Sequence, residues 1–238
     1  MPTNFVLWFG PVSSTQIKGA TAFGATPHMV SCTGDGSDGT ATCADRADGW
    51  KDGDGRRLPA LLKKMAIDSN DINRLVLGAF SAGGQCLKRV CLHATDRQWI
   101  SAVLLSDATY SIEWLDHKNG HVAPIEGFLR YAVDCLSDGR LFLATASASP
   151  NHDYPTGAQC LAGLKDGIEK ETGLVFEDAT GDPLWTGLHK PERAWRLKNV
   201  VFADFGLAYH HGEHPTVLAP ILWPRALEMV AAAGGRTG

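Results

Sequence analysis

The chain has 238 residues, 44% of them hydrophobic and 20% charged, with 22 Lys+Arg against 26 Asp+Glu and a formal net charge of -4. This is an ordinary globular composition, which excludes a disordered or fibrous chain, and a mildly acidic balance without a basic run argues against non-specific nucleic-acid binding. No stretch approaches the roughly 18 unbroken apolar residues of a membrane span, and the opening has no basic flank of a secretory signal; the expectation is a cytoplasmic protein, with a trimmed secreted form left open.

In chain order, Asn4–Phe9 is a short apolar run stopped by Gly10-Pro11 and reads as a buried strand. Pro27–Cys32 is a second candidate strand. Thr33–Arg57 is rich in Gly and Asp and reads as one long loop, of the length that is often functional in a compact domain. Leu58–Ala66 has helical spacing. Asn73–Phe80 is a strand entering Ser81-Ala82-Gly83-Gly84, and Ala82–Ala94 reads as the helix that follows. Ile100–Ser106 is a continuous apolar strand, Val122–Leu136 a helix ending at Asp138-Gly139, and Arg140–Ala146 a strand. Thr156–Glu171 is a helix ending at Gly173, Asn199–Leu207 a strand, and Thr216–Ala233 a closing helix. Apolar strands alternating with helices imply an α/β fold: a mostly parallel sheet covered on both faces, in one domain over residues 1–238 with little or no cap. The strands found this way amount to about five or six. Phe176–Arg196 fits neither period and reads as an excursion over the sheet edge or a small cap.

The six cysteines include no CxxC pair. A Cys32–Cys43 disulfide across the Gly/Asp-rich loop stays open, with free thiols preferred for a chain of this size. Asp35, Asp38, Asp45, Asp48, Asp52 and Asp54 share that loop but miss the EF-hand spacing, so a solvated acidic loop is preferred to a Ca²⁺ site. Trp50 and Trp185 are candidates to line an apolar or sugar-binding cleft.

The segment that carries chemistry is Leu75–Leu87, LVLGAFSAGGQCL. A buried strand runs into Ala79-Phe80-Ser81-Ala82-Gly83 and a helix follows at once. A serine on so sharp a turn needs small residues two before and two after it, and Ala79 and Gly83 meet that demand. The helix N-terminus then sets a positive dipole near Ser81. Here the sequence resembles the α/β-hydrolase superfamily, with Ala79 at the first glycine of its G-x-S-x-G pattern. The resemblance spans roughly Asn4 to Ala233 as an element order, and its specific motifs are the elbow and a late histidine loop.

That resemblance implies a serine nucleophile, then an acid, then a histidine after the last strand. Three of the nine histidines, His210, His211 and His214, lie in one loop after the last strand read here. His211, before Gly212, is preferred, with His214 the alternative. A zinc site would want a convergent third or fourth ligand beyond Glu213, so no metal and no cofactor is expected. The acid is Asp107, directly after its strand, or Asp153, further into a loop. The oxyanion donors are the Ala82 N–H and one from the Gly10–Ser14 turn; Pro11 has no N–H, so Gly10, Val12 or Ser13 donates, with Val12 taken as the candidate. The strands that usually precede the first one in this superfamily are not found.

The implied activity is a serine hydrolase of carboxylesterase type acting on a small-molecule or polymeric acyl substrate. Amidase, thioesterase and acyl-transfer chemistry use the same groups. The alternatives are a catalytically inactive hydrolase-fold module for binding or assembly, and a doubly wound nucleotide binder, against which the lack of a phosphate-loop motif counts.

Overall fold

The fold is that of a computed structural model, which describes residues 3–10, 24–30, 47, 49–110, 125–150 and 155–232. Eight strands form one sheet in the order β2-β1-β3-β4-β5-β8-β7-β6. They are β1 (Thr3–Phe9), β2 (Ala25–Val30), β3 (Ile72–Phe80), β4 (Ala102–Ser106), β5 (Leu141–Ala146), β6 (Glu177–Asp178), β7 (Arg193–Leu197) and β8 (Val200–Asp204). The six strands from β2 through β8 in that order run parallel, and β7 and β6 close the edge antiparallel. The α/β class and mostly parallel sheet expected from the sequence are what the chain adopts.

The sheet is larger than the strand reading implied. Phe176–Arg196 is neither a free excursion nor a cap: it adds β6 and β7 to the edge, joined through a 3-10 turn at Pro183–Trp185. Its period was hidden because β6 has two residues and β7 carries three cation or indole side chains on a half-exposed edge. Trp185 is buried in this turn, its Nε1–H donating to Ala179 O at 2.8 Å, so it serves the core. Trp50 likewise packs at the core's margin, 6.4 Å from the Phe9 ring with the Lys64 ammonium above its own.

Strand alternation divides the core into two. Phe5, Leu7 and Phe9 of β1, Leu75 and Leu77 of β3 and Phe142 of β5 face one side. There they meet α1 (Leu58–Lys64), α2 (Gly83–Val90), α4 (Glu126–Asp138) and α5 (Gly157–Thr172). Val6, Trp8, Val76, Leu104 and Leu143 face the other, against α6 (Ala219–Ala232). Gly78 lets the two layers close: a Cβ there would lie 2.1 Å from the Trp223 ring, which stacks edge-on against Trp8 at 4.6 Å. Among the described residues no helix is long and apolar enough to cross a membrane.

Several boundaries differ from the periodicity, among them β2, which is Ala25–Val30 rather than 27–32, and β8, which ends at Asp204 rather than 207. The helix expected over 82–94 stops at Val90, and the four-residue α3 (Ala94–Arg97) starts anew with the His93 imidazole accepting from Thr95 N–H. The closing helix begins with a π turn at His214–Leu218. Near α3, buried Asp96 accepts from the Arg57 and Leu58 N–H groups at 2.6 and 3.0 Å. It caps α1 from 38 residues away, at an N-terminus with no side-chain cap of its own and where negative charge is favoured.

Candidate active site

The site starts from register. Phe80 of β3 stands opposite Ser106 of β4, and Ser106 opposite Thr145 of β5. The residues that leave the first two strands, Ser81 and Asp107, therefore emerge side by side at the sheet's carboxyl edge. Both are in the left-handed region, Ser81 at φ 53° and Asp107 at φ 46°. Each such kink at a non-glycine residue costs on the order of 1–2 kcal/mol and persists only where surroundings dictate it. Here the ladder carries through the kinks, with Ser81 N–H donating to Asp107 O (3.2 Å) and Asp107 N–H to Thr145 O (2.9 Å).

Close backbone approach explains the small residues after the serine. A Cβ on Gly83 would lie 2.1 Å from Phe9 O, and one on Gly84 1.9 Å from Ala108 O. Neither neighbour is a side chain that could swing away. The helix α2 thus starts pressed against the ends of β1 and β4; Gly84 and Gln85 N–H donate to Ser81 O and Ala82 O, and the Ala82 N–H comes ahead of these bonds, where a helix has no acceptor of its own to offer.

After β8, the Asp204 carboxylate accepts from Gly206 N–H at 2.8 Å and fixes the turn that launches the histidine loop. The loop is tied by Glu213, whose side chain accepts from His210 N–H at 2.7 Å. It delivers His211 between the other two groups: Nε2 lies 2.9 Å from Ser81 Oγ and Nδ1 2.8 Å from Asp107 Oδ2. The Phe80 ring stacks on the imidazole, centroids 4.6 Å apart and planes 28° from parallel. An ionised carboxylate can only accept, so Nδ1 carries the proton and the Nε2 lone pair faces the serine hydroxyl.

Asp107 is wholly buried. Burial alone would raise its carboxyl, but the hydrogen bond from His211, the charge interaction with His214 and the hydrogen bond from Ser147 together outweigh burial and hold it below the ordinary carboxylate range. Oδ2 takes His211 Nδ1–H, the Ser147 hydroxyl (2.6 Å) and the Tyr110 hydroxyl (3.0 Å), and Oδ1 takes Ser147 N–H (3.1 Å). Such an arrangement can pass a proton from Ser81 Oγ to the imidazole held between it and Asp107.

Comparison with known proteins gives little beyond this. No protein family and no curated protein matches the sequence. Among solved structures, the chain is similar to a glucuronoyl esterase from Solibacter usitatus, with a TM-score of 0.49 and 12% sequence identity over 98% of this chain and 74% of that one.

Of the residues singled out from the sequence, Ser81, His211 and Asp107 come together and Ala82 lies beside them. Val12 and Asp153 fall outside the described residues, as do Cys32 and Cys43; of the Gly10–Ser14 turn only Gly10 is described. Gly10 sits at φ 120°, packed where a Cβ would be 2.8 Å from Phe80 O. Asp35, Asp38, Asp45 and Asp48 of the acidic loop also lie outside the described residues, and Asp52 accepts from Asp54 and Arg56 N–H and closes a tight turn. Among the described residues no three His, Cys, Asp or Glu converge on a metal site. Tyr110 and Ser147 were not singled out from the sequence. Their residue types carry no signal at those positions until β4 and β5 are known to be neighbours.

The alternative histidine, His214, is placed elsewhere. It is fully buried, its Nδ1 is 3.0 Å from Thr145 Oγ1, and its Nε2 has no hydrogen-bond partner among the described residues. Burial, the largest cause, lowers its pKa to about 4. An unfolded histidine titrates near 6.5, so between pH 6.5 and 4 the unfolded state binds a proton that the folded state refuses. Stability conferred by the neutral imidazole is therefore full above pH 6.5 and falls as pH drops through that window, by about 3 kcal/mol in all. Urea unfolding at pH 7, 5.5 and 4.5 should show this loss, and His214→Phe should flatten it. A His214→Phe slope equal to that of the wild type would refute the assignment.

Proposed function

We propose that the protein is a serine hydrolase of carboxylic esters. The observation that carries the reading is the hydrogen-bonded relay from Ser81 Oγ through His211 to buried Asp107, built on a left-handed serine between a parallel strand and a helix. Ser81 Oγ attacks the acyl carbonyl as His211 Nε2 takes its proton. The oxyanion meets the Ala82 N–H at the start of α2 and a donor from the Gly10–Ser14 turn, for which Val12 is proposed. Collapse expels the alcohol, which takes the proton from His211, and leaves an acyl group on Ser81. Water, deprotonated by His211, attacks that ester; the acid leaves, and the proton returns to Ser81. Esters are favoured over amides because their leaving groups need the least assistance.

The test is pre-steady-state turnover of a panel of p-nitrophenyl esters together with fluorophosphonate labelling located by mass spectrometry. A burst of one equivalent of p-nitrophenol and a label on Ser81 are expected. A protein that gives neither, with every ester in the panel, is not a serine esterase.

A further inference from the structure

Tyr110 makes contacts that the reaction as written does not require. Its hydroxyl lies 3.0 Å from Asp107 Oδ2 and 3.1 Å from His211 Nδ1, closing a three-membered ring of polar groups on the side of the imidazole away from Ser81. A tyrosine three residues past Asp107 folds back to reach the carboxylate. We propose that Tyr110 is a positioning residue for His211, its hydroxyl donating to Asp107 while accepting a share of the His211 Nδ1–H, so that two residues set the plane and tautomer of the imidazole. This rests on the hydrolase reading above.

Three features make it a fixed support. The ring of Tyr110 meets His211 edge-on, centroids 5.6 Å apart at 71°, while Phe80 covers the imidazole face. His211 is thereby held on one face, one edge and one nitrogen. The main chain of Tyr110 is anchored independently: buried Gln85, four residues after the serine on α2, donates from Nε2 to Tyr110 O at 2.7 Å. Between them, the Thr109 hydroxyl donates to Gly157 O, binding the segment to the start of α5. The 107–110 segment is thus gripped by the helix that begins at the serine and by the helix after β5. The main chain that carries the phenol is thereby fixed, and the hydroxyl's own bonds to Asp107 and His211 hold the side chain in place.

The same geometry tunes basicity. Oδ2 already serves His211 and Ser147, and each further donor makes the carboxylate a weaker partner for an imidazolium. Among the described residues, the groups around His211 are Ser81 and Phe80 at the turn after β3, Asp107 and Tyr110 after β4, and His210, Glu213 and His214 of its own loop. Of these, Tyr110 is the one that touches both Asp107 and His211 through a neutral hydroxyl. Its removal strengthens the Asp107–His211 pairing and leaves the imidazole less well oriented.

Tyr110→Phe should therefore lower kcat roughly tenfold to a hundredfold with KM little changed. The acid limb of its kcat/KM profile should move up by about half a pH unit, since that limb reports the free enzyme's base. Installing 3-fluorotyrosine at position 110 keeps the shape and strengthens the donor, so the limb should move down; this arm stands if Tyr110→Phe does not fold. Fluorophosphonate labelling of Ser81 in the wild type comes first. No label there removes the hydrolase reading and the positioning role together. A label on Ser81, with kcat and the acid limb of both variants on the wild-type values, overturns the positioning role alone and leaves Tyr110 a buried packing residue.

Discussion

Ser81→Ala is expected to lower kcat/KM for an activated ester by about 10⁴-fold or to background, and to abolish fluorophosphonate labelling, with a fall in thermal midpoint of no more than about 2–4 °C. The two halves of this expectation have different origins. The loss of rate follows because, among the described residues, Ser81 Oγ is the hydroxyl within hydrogen-bond distance of His211 Nε2. The retained stability follows from the backbone. Position 81 is held at φ 53° by β3, by the bond to Asp107 O and by the start of α2. Alanine meets the same left-handed strain as serine, and only one partly exposed hydrogen bond, worth about 1 kcal/mol, is lost. Ser81→Gly sharpens the contrast, because glycine adopts this φ without strain, offset by its greater freedom in the unfolded chain. Its midpoint should equal or exceed that of Ser81→Ala, with the same loss of rate. Ser81→Ala retaining a tenth of wild-type turnover, or Ser81→Gly melting well below it, would contradict this account of the turn.

The parts of this site that sequence made legible are those where local chemistry forces a residue type. The sharp turn at Ser81 demanded small side chains at 79 and 83, and Gly83 proves to be pressed against the main chain at the end of β1. The helix ends at Gly139 and Gly173 were readable because both adopt left-handed C-caps. The parallel strands were readable because burial on both faces makes them continuously apolar. What could not be read depends on neighbours distant in sequence. Nothing local to Asp96 reveals that it caps α1, and nothing local to Ser147 or Tyr110 reveals that they share Asp107. The edge strands β6 and β7 escaped notice because a half-exposed edge has no strict alternation to detect. His211 and His214 are three residues apart in one loop, and sequence alone could not divide their roles. Burial divides them: the π turn at 214–218 carries His214 into the core against Thr145, leaving His211 partly exposed beside the serine.

Asp107→Asn should lower kcat/KM by about 10⁴-fold while costing little stability, and the reason lies in which oxygen meets which donor. Ser147 N–H is a main-chain donor that cannot turn away, and it points at Oδ1. An asparagine must keep its carbonyl oxygen there and set its NH₂ in the place of Oδ2. The Tyr110 and Ser147 hydroxyls can rotate and accept, so the packing survives. The imidazole has one response to a donor facing Nδ1: it moves its proton to Nε2. Nε2 then offers a hydrogen to Ser81 where the reaction needs a lone pair, so the serine is no longer activated although every heavy atom stays close to its place. Asp107→Ala is a different experiment, because it leaves Ser147 N–H and the two hydroxyls without their buried acceptor, and it should also lower the thermal midpoint. The same series decides between the two acids that sequence left open. Asp153→Asn should keep kcat/KM within about threefold of wild type, because Asp107 already fills the place beside His211 Nδ1. If instead Asp153→Asn removed the activity and Asp107→Asn kept it, the acid would be Asp153, and the buried carboxylate beneath His211 would be a structural anchor for the serine and histidine turns.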